Sequence, residues 1–307
     1  MTHADAAGLA RRLGALGVWT ALDALPAERA AEFAQRVEAL GYGALWVPEA
    51  VGRDPFAFLG FLATRTSKLV FATGIANIYA RDAVTFRAAA ETLAELSGGR
   101  FVLGLGVSHV PLVSDLRGHR YTRPVETMRH CLEAIEKAPY SGPRAEGSAP
   151  VVIAALRQKM LGLAAEACAG AHPYLVPPEH TRRAREILGE GPLLAPEQMV
   201  LLESDADAAR QVARKHLAFY LRLPNYRKNL LWLGYAESDL EECGSDRLVD
   251  DLVAWGDADA IRARIRAHHD AGADHVCIQP FRPDGGQGPH LETLEELAPE
   301  HRFEPHG

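Results

Sequence analysis

Residues 69–79, LVFATGIANIY, decide the fold. Leu69, Val70, Phe71 and Ala72 form an unbroken apolar run opened by a Ser67-Lys68 turn. Such a run suits a parallel strand covered on both faces. Thr73 and Gly74 then interrupt it, and Asn77 sets an amide among apolar neighbours. A glycine inside a strand pattern marks a bulge or a close backbone approach; a strand that simply ends in a loop is the plainer alternative. A second strand of the same design follows a Gly98-Gly99-Arg100 turn: residues 101–107, FVLGLGV, ending in Ser108-His109. Two neighbouring strands thus end in small and polar residues.

Outward from this pair the pattern repeats. Short apolar runs occur at 14–20, 44–48, 151–155, 170–176, 199–202 and 275–279. Helical periodicity lies between them. Pro26 opens one helix that Gly41 closes, Asp54-Pro55 starts a second, Asp82 caps a third, and Pro124 begins another that reaches about Lys137. Eight strands alternating with helices read as parallel βαβ units closing a (β/α)8 TIM barrel. The expectation is one domain over 1–307, with insertions after strands four and seven, at about 108–150 and 204–256. A doubly wound open sheet is the alternative; Gly104-Leu105-Gly106 matches only part of its GxGxxG fingerprint.

Composition narrows the class. A chain with 48% hydrophobic and 24% charged residues reads as globular. A net charge of -7 argues against nucleic acid as a partner. No apolar run has the length of a membrane span, and the first residues lack the hydrophobic stretch of a signal peptide. Cys131, Cys168, Cys243 and Cys277 are scattered without a CxxC, so reduced thiols in a cytoplasmic protein are expected. The Gly/Pro-rich stretch 282–289 is expected to be mobile in part.

A barrel carries its site at the C-terminal ends of the strands. That rule selects Trp19, Glu49, Asn77, Tyr79, Ser108, His109, residues 155–159, His172, Tyr174, Glu203 and Gln279. His109 is a candidate proton donor or acceptor, since imidazole titrates near neutrality; a structural loop histidine is the other reading. Glu49 is a base or an acceptor for loop amides. Arg157 and Lys159 at a helix start suit a phosphate, or form a solvated basic first turn. Trp19, Tyr79, His172 and Tyr174 are the candidate substrate neighbours. His172 and His180 have neither a Cys nor an HExxH partner, and the adjacent His268 and His269 diverge by roughly 100° on a helix, so no metal is expected. Tyr220, Tyr226, Trp232, Tyr235 and Trp255, in the second insertion, read as core.

Several stretches together carry a resemblance: 39–56 (ALGYGALWVPEAVGRDPF), 73–82 (TGIANIYARD), 98–113 (GGRFVLGLGVSHVPLV), 150–156 (PVVIAAL) with Lys159-Met160, 170–181 (GAHPYLVPPEHT) and 255–280. The chain resembles the luciferase-like superfamily of barrel enzymes that use flavin or the deazaflavin coenzyme F420, in particular the actinobacterial F420-dependent oxidoreductases. The resemblance implies a cofactor ring at the barrel mouth against the strand-three bulge, with a non-prolyl cis peptide at Gly74–Ile75. The implied ring contacts are Thr73, Gly74, Ile75, Ala76 and Asn77, with Gly106, Val107 and Ser108 on the neighbouring strand. The implied phosphate contacts are Ala154, Ala155, Leu156, Arg157 and Lys159. His109 falls where sugar-phosphate dehydrogenases of the superfamily have a candidate acid. A homodimer is implied as well, with Phe56, Phe58, Phe61 and Val84 as the candidate interface. Two departures stand out: Ala50 replaces the histidine many relatives carry after Glu49, and Arg157-Gln158 replaces a Gly-Pro.

The activity expected is hydride transfer between F420 and a small organic substrate, with His109 as the principal acid and Glu49 its nearest competitor. The alternatives are an FMN-dependent monooxygenase and a cofactor-binding protein without turnover.

Overall fold

The computed structural model describes residues 6–286 and 288–299; the chain ends, and Gln287 in the Gly/Pro-rich stretch, lie outside them. The apolar runs become β1 (Leu16–Trp19), β2 (Ala44–Val47), β3 (Val70–Thr73), β4 (Ala76–Asn77), β5 (Phe101–Gly106), β6 (Val151–Ile153), β7 (Gly170–Ala171), β8 (Leu193–Leu194), β9 (Glu197–Leu202), β10 (Val253–Gly256) and β11 (Val276–Pro280). The helices are α1 (Ala6–Leu13), α2 (Ala27–Ala39), α3 (Pro55–Ala63), α4 (Ala83–Leu96), α5 (Pro124–Lys137), α6 (Gln158–Ala167), α7 (Pro178–Leu188), α8 (Ala206–Tyr220), α9 (Pro224–Leu233), α10 (Asp246–Leu252), α11 (Ala258–Asp270) and α12 (Leu291–Glu296). Asp54, Asp82, Asp205 and Asp257 each accept a backbone N–H of the helix they precede. Each such cap is worth about 1 kcal/mol.

The strands pair in the order β10-β9-β11-β1-β2-β3-β5-β6-β7-β8, with β4 beside β5, and every strand pair is parallel. The path closes on itself because its last strand, β8, and β9 are halves of one segment, interrupted at Ala195-Pro196, with β10 flanking β9. Proline has no N–H to give a ladder. β8 pairs with β7 and β9 with β11. Backbone bonds from Ala195 N to Ala171 O and from Cys277 N to Pro196 O continue both seams through the interruption. The expected barrel is therefore present, with strand seven split in two.

The sequence reading placed strand seven at 199–202 and missed β8 and α1. It also read the second insertion as helical to its end, whereas Val253–Gly256 is a strand that pairs with β9. Strand six is shorter than expected, because Pro173 and a left-handed Leu175 (φ 59°) end its ladder early. The barrel interior holds Trp19, Trp46, Ala72, Val102, Val152 and Cys277. The second insertion shares an apolar cluster with Leu156, Leu175, Met199 and Phe281 at the barrel mouth. Phe56 and Phe58, expected at a dimer interface, are buried in this chain's own core; Phe56 meets Phe86 and Phe101 edge-on. Val84 is exposed. No helix among the described residues is long and apolar enough to cross a membrane.

Candidate active site

The bulge after β3 is pinned from three sides. Gly74 N donates to Val47 O (2.9 Å), Glu49 N to Ile75 O (3.2 Å), and the Trp19 indole to Gly74 O (2.8 Å). The Gly74–Ile75 peptide is cis, as the resemblance implied. Thr73 Oγ1 donates to Gly104 O (2.7 Å) and accepts from Gly104 N (2.9 Å). Two glycines of β5 make this closeness possible. A Cβ on Gly104 would lie 1.8 Å from Thr73 O, and one on Gly106 would lie 2.3 Å from the Ile75 side chain.

Of the five bulge residues expected to touch a ring, only Ile75 keeps appreciable surface at the mouth. Thr73, Gly74, Ala76 and Asn77 are buried, because their backbone and polar side-chain groups are spent holding the bulge. Gly106 is buried beneath Ile75, while Val107 and Ser108 are half-buried.

Glu49 is part of the same fastening. Its Oε2 accepts from Asn77 N (2.8 Å), and Arg81 reaches its Oε1 at 2.7 Å. Arg81 also pairs with Asp54 at the start of α3. Both carboxylate oxygens of Glu49 are therefore taken, and its geometry is that of a support rather than of a free base.

His109 is half-buried at the mouth, with its ring 5.3 Å from that of Tyr226. Burial pushes its imidazole down to about 4. It is neutral at neutral pH, the state of a proton acceptor.

On the far rim, the Tyr79 ring tilts against those of His119 and Tyr121 at 6.0 and 6.1 Å. The Tyr79 hydroxyl is buried without a hydrogen-bond partner. Arg157 precedes α6, but its guanidinium donates to Asn225 O at 3.0 Å, reaching the start of α9. Ala154 is half-buried, Ala155 and Leu156 are buried, and Lys159 is exposed. Leu156 O meets His180 Nε2 at 2.6 Å. No side chain caps the start of α6.

The fourth side of the mouth is aromatic. Trp19 and Tyr174 lie 5.0 Å apart. The Tyr174 hydroxyl is 2.8 Å from that of Tyr220 and donates to Gln279 Oε1 at 2.9 Å. Tyr226 stands edge-on to Tyr220 at 5.4 Å. Tyr220 and Tyr226 had been read as core. Tyr226 is indeed nine-tenths buried, yet its ring borders both His109 and Tyr174.

His172 does not reach the mouth. Two residues before Tyr174, it stacks on Trp46 at 4.3 Å, and its Nδ1 meets Ala195 O at 2.7 Å. Glu197 was missed altogether. It is fully buried, one oxygen accepts from Leu175 N at 3.1 Å, and the other has no partner. Burial pushes this carboxyl up to about 8. Among the described residues no group of three His, Cys, Asp or Glu side chains is placed to hold a metal ion.

Comparison with known proteins identifies the family. The family model described as luciferase-like monooxygenase matches residues 12–275. The chain belongs to the luciferase-like monooxygenase family. A Mycobacterium tuberculosis protein named for a coenzyme F420-dependent oxidoreductase is 25% identical, over 86% of this chain and 93% of its own length. Two solved structures share the fold. An F420-dependent secondary alcohol dehydrogenase, in complex with an F420-acetone adduct, does so with a TM-score of 0.72 at 14% identity, over 92% of this chain and 96% of that one. The oxygenating constituent of a Pseudomonas putida diketocamphane monooxygenase, in complex with FMN, does so with a TM-score of 0.67 at 16% identity, over 93% and 97%.

Proposed function

We propose that this chain is an oxidoreductase that transfers a hydride between coenzyme F420 and a small organic substrate at the mouth of its barrel. The observation that carries the reading is the half-buried Ile75, presented to the mouth on a base of Gly104 and Gly106 that tolerates no side chain. The rest of the mouth fits a flat ring with an anionic tail. The Tyr79 hydroxyl lacks a partner, and the first amides of α6 lack a side-chain cap. Helix N-termini favour anions. The names of the M. tuberculosis relative and of the alcohol dehydrogenase point the same way.

When bound, the deazaflavin supplies or takes the hydride. In this reading Ile75 supports the ring, and the uncapped amides at the start of α6 hold the phosphate. His109, kept neutral by burial, serves as a proton acceptor at its imidazole nitrogen when a hydroxyl substrate is oxidised. Glu49 and Arg81 keep the bulge in place and stay out of the chemistry.

A second reading, an FMN-dependent monooxygenase, is favoured by the likeness to the FMN-bound structure. Oxygen uptake during turnover separates the two, because hydride transfer to an organic acceptor consumes none. Parallel binding of F420 and FMN tests the cofactor itself. A homodimer and a cytoplasmic location belong to the same proposal.

A further inference from the structure

Tyr174 follows β7, Tyr220 ends α8 and Gln279 lies on β11. Three separate elements, up to 105 positions apart in the chain, thus place the Tyr220 hydroxyl and Gln279 Oε1 at 2.8 and 2.9 Å from the Tyr174 hydroxyl beside the mouth. We propose that this cluster is the binding site for the substrate oxygen, and that it selects an uncharged carbonyl or alcohol compound with a flat or apolar body. The inference rests on the oxidoreductase reading above.

Hydrogen-bond counting gives the cluster its role. A phenol has one hydrogen to donate. Tyr174 gives its own to Gln279 Oε1, so the hydrogen between the two hydroxyls comes from Tyr220. An entering substrate oxygen can take that hydrogen in exchange. Burial pushes the Tyr220 hydroxyl up to about 12, and raises Tyr174 well above its ordinary value. Both therefore keep their protons, and their donor function, across the physiological range.

The walls set the body of the ligand. Trp19 lies 5.0 Å from Tyr174, and the Tyr226 ring borders Tyr174, Tyr220 and His109 alike. The ring faces and edges that these residues turn to the mouth suit flat or apolar groups.

Charge sets its class. His109 is neutral at neutral pH, and Arg157 is turned to Asn225. Glu197 sits just behind the cluster. It accepts from the amide that follows Tyr174, and it pairs in register with Cys277, two residues before Gln279. It has no cationic partner among the described residues. A carboxylate or phosphate entering beside the tyrosines would lose its water without gaining a counter-charge. Burying an unpaired charge in this way is strongly unfavourable.

The test is binding of 2-cyclohexen-1-one, acetophenone and 3-oxocyclohexane-1-carboxylate to the full chain by saturation-transfer NMR, with and without F420. Both neutral ketones are expected to bind, and the carboxylate at least about ten-fold more weakly. Tyr220→Phe should weaken ketone binding about three- to ten-fold, the loss of one neutral hydrogen bond, while F420 affinity stays as in the wild type. Tyr174→Phe, which removes only the acceptor that the substrate displaces, should not weaken it. The proposal is overturned if neither ketone binds, if Tyr220→Phe binds ketone like the wild type, or if the carboxylate binds more tightly. A chain that takes ketone but not F420 would instead overturn the cofactor assignment and leave this site standing.

Discussion

The indole nitrogen of Trp19 donates to the carbonyl oxygen of Gly74 across 2.8 Å, tying the end of the first strand to the bulge of the third. The contact is buried, so the carbonyl has no water to fall back on. A Cβ on Gly74 would stand 2.7 Å from the same indole nitrogen. The two positions are therefore matched: an indole at one requires a glycine at the other.

Trp19→Phe should leave the Gly74 oxygen buried and unpaired. An unmade bond of this kind costs about 1–3 kcal/mol. The expected outcome is a lower urea midpoint together with weaker cofactor binding, because the bulge that presents Ile75 loosens. A stability loss with wild-type cofactor affinity would separate the indole from the platform.

Glu49 and Arg81 form a pair with side chains only 7% and 13% exposed. Removing one partner of a buried pair is destabilising by about 3–5 kcal/mol, since the other is left charged and alone. Arg81→Met should show that loss in denaturant unfolding, and Arg81→Met with Glu49→Leu should recover part of it. A Glu49→Gln enzyme with normal stability but no turnover would return Glu49 to the chemistry.

His109 carries a pH signature. Its folded value of about 4 lies below that of a free imidazole, so a basic role is available above about pH 5 and lost as pH falls toward 4. The expected pH–rate profile has no limb near 6.5. His109→Ala should lower turnover by about 10²–10⁴-fold and leave cofactor affinity nearly intact. A wild-type limb at 6.5 that vanishes in His109→Gln would show that the imidazole titrates as if solvated.

Stability should also respond to pH, with two opposed signs. Burial holds His172 and His180 down to about 4, and His268 and His275 down to about 3. In the unfolded chain each takes up a proton near 6.5. Below that value the unfolded state binds more protons, so the stability is full above about 6.5 and falls by about 1.4 kcal/mol per pH unit per histidine on acidification. Glu197 acts the other way. Its folded value of about 8 lies above the unfolded one, so stability falls as pH rises toward 8. Four histidines outweigh one carboxyl on the acid side, and urea midpoints should peak near neutrality. Glu197→Gln should raise the midpoint at pH 8 more than at pH 5; an equal shift at both would contradict a neutral buried carboxyl.

The barrel was legible because its cues are local. Apolar runs such as Val70 to Ala72 and caps such as Asp54 and Asp82 act within a few residues, and the structure repeats them closely. Two-residue strands are not legible in that way. Leu193-Leu194 carries no period, and Pro196 hides its continuity with β9. The bulge was legible through Gly74, Gly104 and Gly106, but not which of its side chains would stay open. That was settled by partners such as Gly104 for Thr73 and Glu49 for Asn77, about thirty positions away.

The aromatic side of the mouth was the least legible. Tyr220 and Tyr226 sit in helices whose periodicity reads as core, and only the folding of the insertion over the barrel brings them to Tyr174. Arg157 looked like a free cation because its partner Asn225 lies 68 positions away. Glu197, next to a proline at a strand start, gave no sign of burial.

The cofactor assignment is tested most directly by titrating the chain with F420 and with FMN in parallel, following ring fluorescence. F420 should bind at micromolar concentration or below and FMN at least about ten-fold more weakly, a difference of about 1.4 kcal/mol. Ile75→Gly should weaken F420 in the same titration. FMN bound more tightly than F420, or F420 affinity unmoved by the loss of the Ile75 side chain, would contradict the proposed site.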